Sequence, residues 1–304
     1  MPITTGSLTK ALWPGVNAWY GETYNEWPAE YPDLFEEQSS SKAFEEEVGV
    51  SGFGLAVEKA EGAGVSYDDA RQSYINRYVN RTYALGFIIT EEAIEDNQYN
   101  LAVLGRKDAK ALAFSMRQTK EILAANVYNR AFNSSYVFGD AKELCATDHP
   151  LFAGGTFANE LSVAADLSEA SLEQACIDIA GFTNDRGLKI AVQPKSLIIP
   201  KELMFEATRI LKSELQSNSA NNDINALRIM GMFPGGVKVN HYLTDTDAWF
   251  VRTNCPEGMK YFNRVGNSFK PDNDFDTGNA KFKARFRCSF GNTDPRGIFG
   301  SPGQ

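Results

Sequence analysis

Residues Tyr74 to Phe132 place a long extended run directly ahead of an even longer helical one, and few compact folds need such a pair. Tyr74 to Ile89 is rich in Tyr, Val, Ile and Phe, side chains that fit a pleated surface and form helices poorly. One long strand is predicted there. Thr90 can serve as an N-cap, and Glu91 and Glu92 fall in the first turn, where the helix dipole favours negative charge. From Glu91 to Phe132 there is no proline, and Leu101, Leu104, Leu112, Met116, Leu123, Val127 and Ala131 return at helical intervals. At about 1.5 Å per residue a continuous helix would reach roughly 60 Å, which is a spine rather than part of one small core. Gly105 to Asp108 interrupts the pattern, and a kink or break is expected there.

Ahead of this pair, Phe53 to Val57 reads as a strand, Glu61 to Gly64 as a turn and Ser66 to Gln72 as a wider tip. Tyr74 to Ile89 then becomes the return of a long hairpin, with Arg77 and Arg81 on the same side as Ile75 and Val79. Such a hairpin is marginal alone and needs another surface. The first 45 residues hold Trp13, Trp19 and Trp27, three of the four tryptophans, among prolines and acids. Exposed aromatics need a partner, so the segment reads either as an arm packed along something else or as an extended segment lying across its own domain.

Beyond the spine, Ser168 to Phe182 has helical spacing and Asp185 to Gly187 forms a turn. Ser196 to Ile199 is a short buried strand ended by Pro200, followed by an amphipathic helix from Lys201 to Leu215. Gln216 to Asp223 is a polar loop, Val237 to Leu243 and Ala248 to Arg252 are strands, and extended structure resumes at Tyr261. This alternation indicates a mixed α/β lobe. Near the C-terminus Lys281, Lys283, Arg285 and Arg287 alternate with Phe282, Ala284, Phe286 and Cys288, giving a half-buried strand with one basic face, solvated or in contact with another subunit.

The net charge of −9 argues against wrapping nucleic acid, because phosphate contacts need a positive surface. Much of the acidity lies in residues 1–50, where nine acids face Lys10 and Lys42 for a net −7. No signal peptide or membrane span is legible, which leads to the expectation of a cytosol-like compartment. Cys145, Cys176, Cys255 and Cys288 are scattered and read as reduced structural thiols.

Candidates for chemistry are sparse. His149 and His241 are the two histidines, neither in a metal-ligand spacing, and a Cys145–His149 pair has no evident activating third group. Asp272 to Gly278 resembles the start of a calcium loop, but its glycine falls one position late and Lys283 stands at the terminal glutamate position, so a turn before a strand is expected. No phosphate-binding glycine loop is present, and no catalytic residue, cofactor or metal ligand is assigned.

The specific feature is the order of parts: arm, hairpin, spine, α/β lobe, terminal strand. Gly86-Phe87-Ile88-Ile89-Thr90-Glu91-Glu92 followed by Glu95-Asp96, then Pro194 to Pro200 with Leu203 and Ala207, then Tyr242 to Phe250, resemble the major capsid (head) proteins of tailed bacteriophages with the Hong Kong 97-like fold. The resemblance implies an α+β chain divided into an N-terminal arm (1–45), an extended β-hairpin loop (46–90), a peripheral domain with the spine helix (91–139), an α/β axial domain (140–261) and peripheral return strands (262–304). It implies a structural protein, not an enzyme, that self-assembles into hexamers and pentamers of an icosahedral head around double-stranded DNA. Its expected partners are further copies of itself, a separate scaffolding protein, a portal and a candidate cement protein, with no membrane. Its expected location is the virion, after assembly in the host bacterial cytoplasm.

Subunit contacts are expected at Trp13, Trp19, Trp27, Lys59, Arg77, Arg81, Lys281, Lys283, Arg285 and Arg287, and flex points for maturation at Gly86 and Gly105. Some relatives cross-link a loop lysine to an asparagine, which would pair Lys59 with Asn267, Asn279 or Asn292. Three alternatives stand beside this reading. One is an encapsulin-like cellular compartment shell of the same fold. Another is an α/β hydrolase using Asp148, His149 and Cys145, and the last a DNA-binding module using the basic stripe.

Overall fold

The computed structural model describes residues 17–90, 92, 101–151, 154–215, 223–274 and 276–304. Trp13, the expected helix start after Thr90 and most of the polar loop after Leu215 lie outside these residues.

The spine is α3 (Leu101–Asn129), preceded by α1 (residues 17–24) and α2 (Tyr31–Leu34). Its 29 described residues span about 43 Å. Ala109, Leu112, Ala113, Met116, Ala124 and Tyr128 form its buried stripe. The helix runs unbroken through Gly105, contrary to the expected interruption, because packing along this stripe outweighs the roughly 1 kcal/mol propensity deficit of one glycine. It ends at Asn129 rather than Phe132, where the Asn129 side chain binds the Tyr242 carbonyl and the Thr244 amide at 3.1 and 3.0 Å.

The stripe lies on a four-stranded sheet in the order β1-β10-β11-β4, built from β1 (Glu36–Ser39), β4 (Arg81–Ile89), β10 (Met259–Asn273) and β11 (Ala280–Asn292). β1 runs parallel to β10 and the other pairs are antiparallel. On β11 the expected alternation is present: Phe282, Ala284, Phe286 and Cys288 are buried, Lys281, Lys283 and Arg285 exposed, and Arg287 half-buried. The turn at Asp274 is held by Lys281 at 2.5 Å and leads into this strand.

Beyond the short antiparallel pair β5 (His149–Pro150) and β6 (Thr156–Phe157), a second sheet has the order β12-β9-β7-β8, from β7 (Pro194–Pro200), β8 (Val237–Asn240), β9 (Trp249–Thr253) and β12 (Ile298–Ser301). One face turns Ile198 and Phe250 toward the spine, where Phe250 meets Tyr128 and Phe132. The other turns Leu197, Ile199, Trp249, Val251 and Phe299 toward α4 (Glu169–Ala180), α5 (Met204–Lys212) and α6 (Ala226–Met230). α4 begins at a reciprocal Ser168–Ser171 capping box and closes at Gly181, and α5 is entered through a 3-10 turn, so the helix expected from Lys201 to Leu215 is shorter.

The hairpin differs from expectation. Its first strand is β2 (Phe44–Val50), not Phe53 to Val57, and it pairs with β3 (Gln72–Val79). Residues 51–71 join them without a ladder, because Phe53 to Val57 faces no partner strand. The expected single return strand is also two, β3 and β4, parted at Asn80. The inward positions are even-numbered from Tyr74 to Asn80 and odd-numbered at Tyr83, Phe87 and Ile89. Arg77 and Arg81 therefore belong to different sheets: Arg77 faces Glu46 on β2, and Arg81 stands opposite Cys288 on β11.

From residue 17 onward, the N-terminal segment packs on its own subunit. Tyr20 stacks on Phe269 at 4.6 Å, Leu34 and Phe35 are buried, and β1 joins the first sheet. Of the tryptophans expected to reach outward, Trp19 packs against this core, while Trp27 is 62% exposed.

Candidate assembly surfaces

β2 and β3 show an inverted pattern. Glu45 and Glu47 take the half-buried positions, while Phe44, Val48 and Val50 face outward beside Ile75 and Val79. Phe44 stands opposite Val79 and Val48 opposite Ile75, two apolar pairs on one outward face with the Glu46–Arg77 pair between them. Arg77 lies across it, 4.5 Å above the Phe44 ring, and pairs with Glu46. Inward, the Lys260 ammonium, only 2% exposed, is held by Glu47 and Glu257. Thr293 donates to Glu47 and meets the Tyr78 hydroxyl at 2.6 Å. The base of the hairpin is thus pinned by a charged network, which explains the glutamates in a strand position.

The second pin is Asn80, 3% exposed. Its Nδ2 donates to the Ser40 hydroxyl at 2.8 Å and the Lys42 carbonyl at 3.1 Å, and its Oδ1 accepts from Ser289 at 3.0 Å. Its own amide reaches the Ala43 carbonyl, and its carbonyl receives the Arg287 guanidinium. Nothing in an isolated asparagine announces this node; the signal is the point where alternation changes phase.

Beyond the base, Phe53, Leu55, Val57, Val65 and Tyr67 are all exposed, Tyr67 at 96%, and Lys59 lies among them. Arg186 tethers the loop through Asp68 and the Asp69 carbonyl. Of the asparagines considered as its partners, Asn267 already accepts from Tyr20 at 2.9 Å and Asn292 is buried. Gly86, expected to flex, sits in β4 opposite Lys283, where a Cβ would lie 2.5 Å from the Phe282 carbonyl. It is a close-approach glycine inside a paired strand.

The hydrolase constellation does not form. The Cys145 thiol lies in the core and burial, with Glu160 and Glu143 nearby, pushes its pKa well above the usual thiol range. His149 is buried between Asp140 at 2.6 Å and Asn159 at 3.0 Å, while Asp148 is taken by Lys142 at 2.5 Å. The three groups are spent on separate contacts. His241 binds Glu30 through Nδ1 at 2.7 Å. A cleft of about 740 Å³ beside the hairpin base is lined by Asp140, Asp185, Asp294 and Arg296. Its arginine is satisfied by the two aspartates Asp185 and Asp294 and by the Thr183 carbonyl. No group of acids, histidines and cysteines fit to hold a metal occurs among the described residues.

An α+β chain whose apolar strand face and loop point outward, with its polar side chains spent on holding that loop, is built as a shell-forming structural subunit. The sequence profile of a family described as phage capsid protein matches residues 77–300, and the chain belongs to that family. Solved capsid subunits share its fold along nearly its whole length. The cyanophage P-SCSP1u capsid subunit superposes with a TM-score of 0.55 at 9% identity, over 90% of this chain and 88% of that one. The procapsid subunit of bacteriophage JBD30 gives 0.51 at 14% identity, over 98% and 76%. A virus-like particle from Pyrococcus furiosus gives 0.51 at 10%, over 94% and 97%. No curated protein matches at the level of sequence.

Proposed function

We propose that this subunit assembles into the hexamers and pentamers of an icosahedral, Hong Kong 97-like head that encloses double-stranded DNA. The carrying observation is the outward apolar face of β2 and β3, continued by the exposed loop 51–71. In water such a face is unfavourable by roughly 25 cal/mol per Å² left uncovered, and a neighbouring subunit is the surface that shell assembly supplies. In this reading the sheet under α3 forms the peripheral domain, the second sheet with α4 to α6 forms the axial domain, and the loop around Lys59 lies on the next subunit. A separate scaffolding protein, a portal and a cement protein complete the head, which is built in the host cytoplasm. The family match favours this reading over a cellular compartment shell.

Sedimentation and negative-stain imaging of the expressed chain, with and without a scaffolding protein, test it. Closed particles far above the 33.6 kDa subunit are expected. A monomer under every condition would sink the proposal.

A further inference from the structure

The second sheet carries helices on one face, and its two ends differ in charge. At the β12 end lies α4: Ala165, just ahead of it, is bonded to Ser301 and Trp249, and Phe182, just after it, packs on Phe299. At the β8 end lies α5, in contact with β8 and joined to α6 by Asn225, which caps α6 and donates to the Ile210 carbonyl. α4 carries Glu169, Glu173 and Asp178 and no base. α5 and α6 carry Arg209, Lys212 and Arg228 against Glu206. Each face also exposes apolar side chains: Ile177 on α4 is 65% exposed, and Phe205, Ile229 and Met230 on the other face are 64–70% exposed. Arg228 has a partner at home, Glu214 at 3.4 Å, an exposed contact that a closer partner can replace.

We propose that the acidic α4 face of one copy docks against the basic α5–α6 face of the next, with Ile177 covering Phe205 and Ile229, as the contact that repeats around a capsomer. The occupant is a second copy of this chain, because complementary charge and matching apolar residues occur on two ends of one lobe. Two different patches at opposite ends of a sheet make a head-to-tail contact, the kind that closes into rings. The inference rests on the shell reading and names its partner surface. Steering by such charges sets register and excludes wrong pairings more than it adds affinity.

The test is a charge exchange in the full chain, read as assembled particles against free subunits on a gradient. Glu173→Lys with Asp178→Lys, and separately Arg209→Glu with Arg228→Glu, should each lower particle yield about tenfold, because like charges then face each other. Combining all four changes should restore assembly. Arg209 and Arg228 are exposed, while Glu173 and Asp178 are half-buried and Asp178 accepts from Gln174 at 2.8 Å, so an unchanged thermal midpoint of each variant is required to show that folding is intact. Normal assembly of both charge-reversed variants overturns the proposal while leaving the shell reading in place. Loss in both without restoration in the combined variant assigns the faces to different partners, such as a scaffolding protein, and also overturns it. A wild-type chain that never assembles overturns the shell reading itself.

Discussion

Asn80 shows how one polar side chain can decide where a strand changes allegiance. All of its hydrogen-bonding groups are used, across three segments distant in sequence. Asn80→Ala strands Ser289 and the Lys42 carbonyl without their partner, and a loss of about 1–3 kcal/mol is expected from the midpoint of urea unfolding. Glu160 gives a pH-dependent counterpart. Burial, then the nearby Glu143 charge, raise its carboxyl to about 7, offset in part by His149. A folded value above the unfolded one means that the folded chain holds the extra proton, so stability falls as pH rises from roughly 4.3 to about 7 and stays reduced above it. Glu160→Gln should therefore raise the thermal midpoint at pH 8 and leave it nearly unchanged at pH 4, read by calorimetry at both.

At the scale of elements, α3 serves two masters. Besides its apolar stripe it buries Arg117, Lys120 and Glu121. The Glu121 carboxylate accepts the Glu30 and Tyr31 amides at 3.1 and 2.9 Å, Arg117 donates to the Tyr24 carbonyl at 2.6 Å, and the Tyr128 hydroxyl donates to the Leu34 carbonyl at 2.9 Å. Lys120 lies 4.0 Å above the Tyr31 ring, and burial lowers its pKa. These polar groups sew residues 24–34 to the helix. Glu121→Ala leaves two amides unpaired, and faster hydrogen exchange confined to residues 17–35 is expected, with the exchange of α4 to α6 unchanged. The helix was legible because its apolar repeat is complete in itself. Its polar stripe was not, since a buried lysine and glutamate look solvated until the segment they hold is known. β2 escaped notice for a related reason: Glu45, Glu47 and the outward Val48 and Val50 reverse the usual rule, because Glu47 is held inward by Lys260 and Thr293 and Glu45 by Ser40. The basic stripe on β11 was readable since its inward positions meet an ordinary core.

On the scale of the whole molecule, charge decides what the subunit does not bind. Acids of the N-terminal segment are largely paired at home: Glu30 with His241, Asp33 with Lys238, Glu36 with Arg252 and Glu47 with Lys260. With a net charge of −9, the subunit should show no duplex affinity that weakens between 50 and 200 mM salt, measured by fluorescence anisotropy, and neutralising Lys281, Lys283 and Arg285 should change nothing there. A steep salt dependence lost in that variant would revive the DNA-binding reading.

The parallel pairing of β1 with β10 ties Glu36 to Lys260 and Ser39 to Asn263, at opposite ends of the chain. A nascent polypeptide on the ribosome therefore cannot complete its first sheet until residue 292 has emerged, for β11 is also the strand on which β4 must lie. Until then β1 and β4 are unpaired and sticky, and such long-range closure is slow. A chain not yet grown past residue 292 therefore lacks the platform that holds the hairpin base in place, since Arg287 and Ser289 on β11 are among the groups that bind Asn80.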